Sequence, residues 1–257
     1  MKNIVIAGYG FVGKAHDSLL KIHNNIHIVD PAFNSSRVYD YPDADGVIVC
    51  VSTPEGVDGN CDIQNVLKVI RDTRISTPIL IKSTVSLEGW DHIKRTYPTH
   101  TIGFSPEFLR AETALEDFAN MFEMYIGGDA TKFWKELFIE AYNDILDVQV
   151  YSPEDLILTK YVRNSFLATK VAFFNQIYDL CQKTKTNYET VAHLVGSDSR
   201  ITHSHTKVTL ERGFGGHCFP KDTEALLYTT KEYNSNLSIL EQAVSYNKLV
   251  RLKENDV

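Results

Sequence analysis

The chain has 257 residues, 43% hydrophobic and 23% charged, the balance of a globular protein with a sizeable core in one large domain or two ordinary ones. Its formal net charge of -7 argues against general affinity for nucleic acid or anionic membrane, while leaving room for a local phosphate pocket. No apolar run approaches membrane-spanning length, Met1 leads almost at once into strand-like sequence with no room for a secretory leader, and the expected location is cytoplasmic. Cys50, Cys61, Cys181 and Cys218 stand far apart without paired spacing, so neither a disulfide framework nor a zinc site is expected.

The first elements are in "KNIVIAGYGFVGKAHDSLLKIHNNIHIVD", where a short apolar run meets Gly8, Gly10 and Gly13, continues helix-like, and enters a second apolar run ending at Asp30. That is a βαβ unit for a dinucleotide. The glycines allow a tight turn, close approach of backbone to a pyrophosphate, and close helix packing, and the helix N-terminus offers free N–H groups to phosphate. Asp30, at the end of the second strand, meets a ribose and favours the free 2′-hydroxyl of NAD over the 2′-phosphate of NADP; the nearby Arg37 weighs slightly the other way. His16, His23 and His27 read as surface or partly buried residues without metal partners.

Further strands are predicted at 46–51, 78–83, 100–105, 123–128 and 147–151, mostly separated by helical stretches. This alternation gives an α/β fold, a Rossmann-like doubly wound and mostly parallel sheet whose ligands sit beyond the carboxyl ends of its strands. Three polar endings fall there: Ser52-Thr53-Pro54, Ser83-Thr84-Val85 and Ser105-Pro106-Glu107. Each also suits a helix cap or turn.

From Pro153 the texture changes to one long predicted helix over 154–183, with apolar residues at three- and four-residue spacing. Lys160 and Asn164 lie four apart and share a face of it. Shorter helices are predicted at 187–196, 222–232 and 237–252, giving an NAD-binding domain over 1–151 and an all-helical central domain over 152–257. His203 and His205, in "THSHTK", read as solvated loop residues, and no metal site is expected.

"GFGGHCFPKD", residues 213–222, surrounds Cys218 with glycines, His217, Lys221 and Asp222. Glycine lets backbone approach a ligand, and neighbouring basic groups suit a nucleophilic sulfur. A small buried hydrophobe after a helix-ending glycine run is the alternative.

Taken together, "GYGFVG", "CVSTP", "KSTV", "SPEFLR", the Lys160 and Asn164 pair, and "GFGGHCFPKD" resemble, in collinear order over most of the chain, the nucleotide-sugar dehydrogenases, above all the UDP-glucose 6-dehydrogenases. The resemblance implies an NAD-linked enzyme that oxidises a primary alcohol twice, through an aldehyde and a Cys218 thiohemiacetal and thioester, to a uronic acid. It implies that Lys160 and Asn164 stabilise the oxyanion, that Asp222 and Thr84 hold a water, and that Glu107 assists hydrolysis. It places Gly8, Gly10, Phe11, Val12, Gly13, Asp30, Thr53, Thr84 and Lys221 at the cofactor. It places Glu107, Phe108, Leu109, Lys160, Asn164, Phe214 and Gly215 at the substrate, with Arg200 reaching the site of a neighbouring subunit. The partners implied are a nucleotide sugar and a second copy of the chain packed along the long helix.

Four features depart from the family pattern. Position 111 is alanine where a second glutamate is usual, with Glu112 one residue later; the segment between the second and third strands is short; and the chain stops at Val257, where a third, nucleotide-binding domain would follow. His217 resembles the N-acetylhexosamine branch while "FPKD" resembles the glucose branch, leaving the sugar open. Weak binding of nucleotide sugar is therefore expected, or a separate chain completing the site. The alternatives are a single oxidation like that of the β-hydroxyacid dehydrogenases, which Cys218 argues against, and a non-catalytic NAD-binding or interaction protein.

Overall fold

The computed structural model describes residues 1–56, 61–216 and 218–252, without the side chain of Leu252. His217 lies outside the described residues. Contacts divide the chain into two compact units, the first running to Lys160 and the second from Tyr161 onward. The division falls inside the long helix, beyond residue 151.

In the first unit, β1 (Asn3–Ala7), α1 (Phe11–Leu20) and β2 (Asn25–Val29) form the opening βαβ turn. There follow β3 (Gly46–Val49), α2 (Gln64–Asp72), β4 (Ile79–Ile81), α3 (Leu87–Thr96), β5 (Ile102–Phe104), α4 (Ala114–Ala119), β6 (Glu123–Gly128), α5 (Thr131–Ala141) and β7 (Asp147–Val150). These strands make one seven-stranded sheet in the order β2-β1-β3-β4-β5-β6-β7, parallel throughout except for the antiparallel β5–β6 pair. The order reverses at β1, which lies between β2 and β3. That switch point opens a crevice at the strands' carboxyl ends.

The central strands are continuous apolar runs because helices cover both faces of a parallel sheet. Ile4, Ile6, Ile48 and Leu80 are fully buried in one cluster with Phe118 of α4 and Trp134, Leu137 and Phe138 of α5. Burying each of these large side chains stabilises the unit by roughly 2–3 kcal/mol. The polar ends of β3, β4 and β5 do fall at the carboxyl edge. The cap of α3 is Ser86, whose Oγ accepts from Gly89 N at 3.0 Å, and not Ser83. Ser83 instead donates to Val51 O at 2.7 Å and so ties the end of β4 to the end of β3.

In the second unit, α6 (Pro153–Thr184, begun in the first unit) continues past Tyr161 and is followed by α7 (Tyr188–Gly196), α8 (Phe219–Glu232) and α9 (Ser238–Leu252). Phe174 and Cys181 of α6 pack on Tyr188 and Ala192 of α7. Helix α8 starts at Phe219, three residues earlier than its sequence predicted, because Pro220 suits a first helical turn and Asp222 N already bonds Cys218 O at 2.8 Å. Among the described residues no helix is long and apolar enough to cross a membrane.

Candidate active site

The nucleotide end of the site is built from backbone. Gly8 has φ +96°, and a Cβ there would stand 2.5 Å from the carbonyl carbon and oxygen of Cys50, in the crevice between β1 and β3. A Cβ on Gly13 would meet Gly8 O at 2.1 Å, so α1 starts close against the strand only because that position has no side chain. Among the described residues Gly10 has nothing within 4 Å of its missing Cβ, and it carries no side-chain cap. The first N–H groups of α1 thus face an open approach, with the positive end of the helix behind them. Phe11 is exposed beside them and Val12 half-buried.

Asp30 follows β2 directly. Its Oδ2 accepts from Tyr9 N at 2.6 Å and its Oδ1 from Ala32 N at 2.8 Å, which fixes the carboxylate while leaving lone pairs for ribose hydroxyls. The turn, the uncapped helix start and the fixed acid fit a dinucleotide. Thr53 is buried after β3 and Thr84 half-buried after β4; Cys61 donates from Sγ to Thr84 O at 3.2 Å.

Glu107, after β5, lies in a buried polar cluster. Lys82 Nζ stands 3.3 Å from Glu107 Oε2 and donates to Ser105 Oγ at 2.9 Å, while Phe108 N donates to Oε1 at 3.0 Å. Burial alone would raise the Glu107 pKa, but Lys82 first, then the Phe108 N–H and Lys160, together hold it below the usual carboxylate range. The same burial pushes the Cys50 thiol up to about 12. Phe108 meets Tyr125 edge-on at 6.4 Å, Leu109 is half-buried, and Lys160 is buried on the first turns of α6. Glu112 lies exposed in the turn Ala111–Thr113 and joins no part of this cluster.

His16 overturns its sequence reading. It is fully buried, its ring 4.4 Å from that of Phe118, with Nε2 4.0 Å from Glu107 Oε2. Burial, and then Lys82, lower its pKa to about 4, so at neutral pH the contact with Glu107 is not an ion pair. Neither Lys82 nor His16 was given a role from sequence, though signals existed. Lys82 ends the otherwise apolar "PILIKS", and His16 falls with Gly13 and Leu20 on the buried stripe of α1.

In the second unit Cys218 is exposed at the N-cap of α8. Asp222, in the first turns of that helix, is buried, and both its oxygens are engaged: Asn164 Nδ2 donates to Oδ2 at 2.5 Å and Lys221 Nζ to Oδ1 at 2.6 Å. The approach to Cys218 is pinned from α9. Asn247 accepts from Phe214 N at 2.6 Å and returns a bond to Phe214 O at 2.9 Å, and a Cβ on Gly215 would press on the Arg251 guanidinium at 2.8 Å. Arg212 locks the near end of the loop to α6 through Asn175 at 2.9 Å and Asp179 at 2.7 Å. These supports are long-range and carry no local sequence signal. Arg200 is exposed and folds back on Asp198 at 2.6 Å, apart from the Asn164, Lys221 and Asp222 group.

The model of the NAD binding domain of the UDP-glucose/GDP-mannose dehydrogenase family matches residues 34–146, and that of the family's central domain matches residues 157–249. The chain belongs to the UDP-glucose/GDP-mannose dehydrogenase family. Its first unit carries the family's NAD-binding domain, and NAD is its cofactor. A UDP-glucose 6-dehydrogenase of Rhizobium meliloti (strain 1021) is 33% identical over 220 residues, covering 79% of this chain and 50% of that protein. UDP-glucose 6-dehydrogenase YwqF of Bacillus subtilis (strain 168) is 29% identical over 84% of this chain and 51% of its own. The chain thus spans about half the length of the curated relatives it matches. Among solved structures, a UDP-glucose dehydrogenase from the archaeon Pyrobaculum islandicum superposes with a TM-score of 0.83 at 23% identity, covering 97% of this chain and 68% of that one. A Mycobacterium tuberculosis 3-hydroxyisobutyrate dehydrogenase superposes with a TM-score of 0.76 at 16% identity over 97% of this chain and 94% of its own. Both likenesses are of fold.

Proposed function

We propose that this member of the UDP-glucose/GDP-mannose dehydrogenase family oxidises the C6 primary alcohol of a nucleotide sugar twice, with UDP-glucose to UDP-glucuronate the leading case. The observation that carries this reading is Cys218 at the N-cap of α8, with Asp222 one turn on, held by Asn164 and Lys221. NAD, when bound, supplies the hydride acceptor for both oxidations.

In this reading the residues divide the work as follows. The Cys218 sulfur adds to the aldehyde, and the tetrahedral carbon so formed, bearing oxygen and sulfur, is a hydride donor where the aldehyde is not. Lys160 and Asn164 stabilise negative charge on the sugar oxygen. Asp222 and Thr84 hold the water, and Glu107, ionised beside Lys82, accepts its proton. Gly8, Gly10, Phe11, Val12, Gly13, Asp30, Thr53 and Lys221 bind the cofactor. Phe108, Leu109, Phe214 and Gly215 line the sugar site, and Arg200 serves the site of a second copy. The NAD-binding domain ends near residue 151, and the helical remainder carries dimerisation and catalysis.

The experiment is a count of NADH formed per sugar consumed over a panel of nucleotide sugars. Two per sugar supports the reading, one points to a single oxidation of the β-hydroxyacid dehydrogenase kind, and none leaves a binding protein.

A further inference from the structure

In the cluster around Glu107, His16 Nδ1 lies 3.0 Å from Val12 O, an oxygen that can only accept, so in the neutral ring Nδ1 carries the proton and Nε2 a lone pair. That lone pair faces Glu107 Oε2 at 4.0 Å; among the described residues neither buried atom has a hydrogen-bond partner, though Oε2 has the Lys82 ammonium as an ion-pair partner at 3.3 Å. In this tautomer two acceptors face each other with no proton between them. A proton on either atom bridges the pair once it closes from 4.0 Å to hydrogen-bond distance.

We propose that His16 is the positioning residue behind Glu107, its Nε2 being the internal acceptor with which Glu107 shares a proton taken from water. The inference rests on the hydrolytic role proposed above for Glu107. As water adds to the acyl carbon, its O–H bond breaks and the proton passes to Glu107, where Oε2–H points to Nε2. The C–S bond then breaks with its electron pair left on sulfur, and the shared proton returns, so that thioester and water become carboxylic acid and thiol. Lys82 lies on the same Oε2 and keeps the resting carboxylate ionised.

The other groups around His16 support an acceptor with no outlet of its own. Phe118 of α4 and Phe138 of α5 pack on the ring, at 4.4 and 5.8 Å between centroids. Tyr142, after α5, donates its hydroxyl to Phe118 O, and burial, then Glu107, raise its pKa. The Cys50 thiol after β3 stays protonated. Lys82 and Glu107 are thus the charged groups that act on the ring.

The test is NMR of the full chain with 15N-labelled histidine at neutral pH, joined to kinetics. The expected result is a protonated Nδ1 and a bare Nε2 on His16, with the Nε2 signal displaced in Glu107→Gln, whose amide can donate to it. His16→Asn keeps a donor for Val12 O and puts no acceptor at the Nε2 position. It should slow acid release about tenfold or more, with KM and the first burst of NADH unchanged, and His16→Gln should recover part of the rate. A resting proton on Nε2 overturns the proposal, because His16 is then a donor to Glu107, and so does unchanged acid release in His16→Asn. If the wild-type chain oxidises no nucleotide sugar, the proposed function fails, and the nitrogen signals still decide whether the acceptor exists.

Discussion

Asn164 of α6 and Asp222 of α8 are joined by a 2.5 Å hydrogen bond from Nδ2 to Oδ2, and Lys221 occupies the second oxygen of the same buried carboxylate. Asp222→Ala leaves two polar partners without an acceptor, a loss of about 1–3 kcal/mol. A lower urea midpoint is expected, with NAD binding retained. An unchanged midpoint would mean that the carboxylate does not hold the two helices together.

Cys218→Ser should bind NAD as the wild type does and form no uronic acid, since an oxygen ester forms and hydrolyses far less readily here than a thioester. Calorimetry reads the first property and product chromatography the second. Normal acid production would make Cys218 a capping residue only.

Asp30→Ala should narrow the preference for NAD over NADP by roughly tenfold, about 1.4 kcal/mol of binding. The carboxylate, held by Tyr9 N and Ala32 N, would meet a 2′-phosphate with like charge. Fluorescence titration with both cofactors measures it, and equal affinities in the wild type would remove Asp30 from the ribose.

Stability should fall with acid before the carboxylates protonate. His16 has its pKa lowered from 6.5 to about 4, so between those values the unfolded chain binds the extra proton and the folded chain does not. Its contribution is complete above pH 6.5 and is lost as pH falls toward 4, up to ~3 kcal/mol in all. Urea unfolding at a series of pH values should show this slope in the wild type and a flatter one in His16→Leu. Parallel slopes would place the ring in contact with solvent.

Val162, Phe166, Phe173 and Leu180 are exposed on α6 at spacings of four and seven residues, an apolar stripe along one face. The expected occupant is a second copy of the chain. Sedimentation should give a dimer for the wild type and a monomer for the double variant Phe166→Glu, Phe173→Glu, with circular dichroism unchanged. A wild-type monomer at micromolar concentration would sink the idea.

The sequence by itself determined the parts of this protein that depend on local order. Gly8, Gly10 and Gly13 before a helix, with Asp30 closing the next strand, specify a βαβ turn that fits a dinucleotide, because each acts through its own backbone or its neighbour's. The 3.6-residue period of 153–184 specifies a long helix for the same reason. Only the tertiary structure decided what lies behind those residues. His16 was read as a surface or partly buried histidine, yet the packing of α1 against α4 and α5 takes it out of water and turns it toward Glu107, ninety-one residues away in sequence. Lys82 likewise has its partners in Ser105 and Glu107 because β4 and β5 are adjacent and parallel. The glycine approach to Cys218 is fixed by Asn247 and Arg212, whose partners lie 33 and 37 residues off. Buried polar groups need partners wherever the fold brings them, and a one-dimensional pattern holds the groups without the pairing.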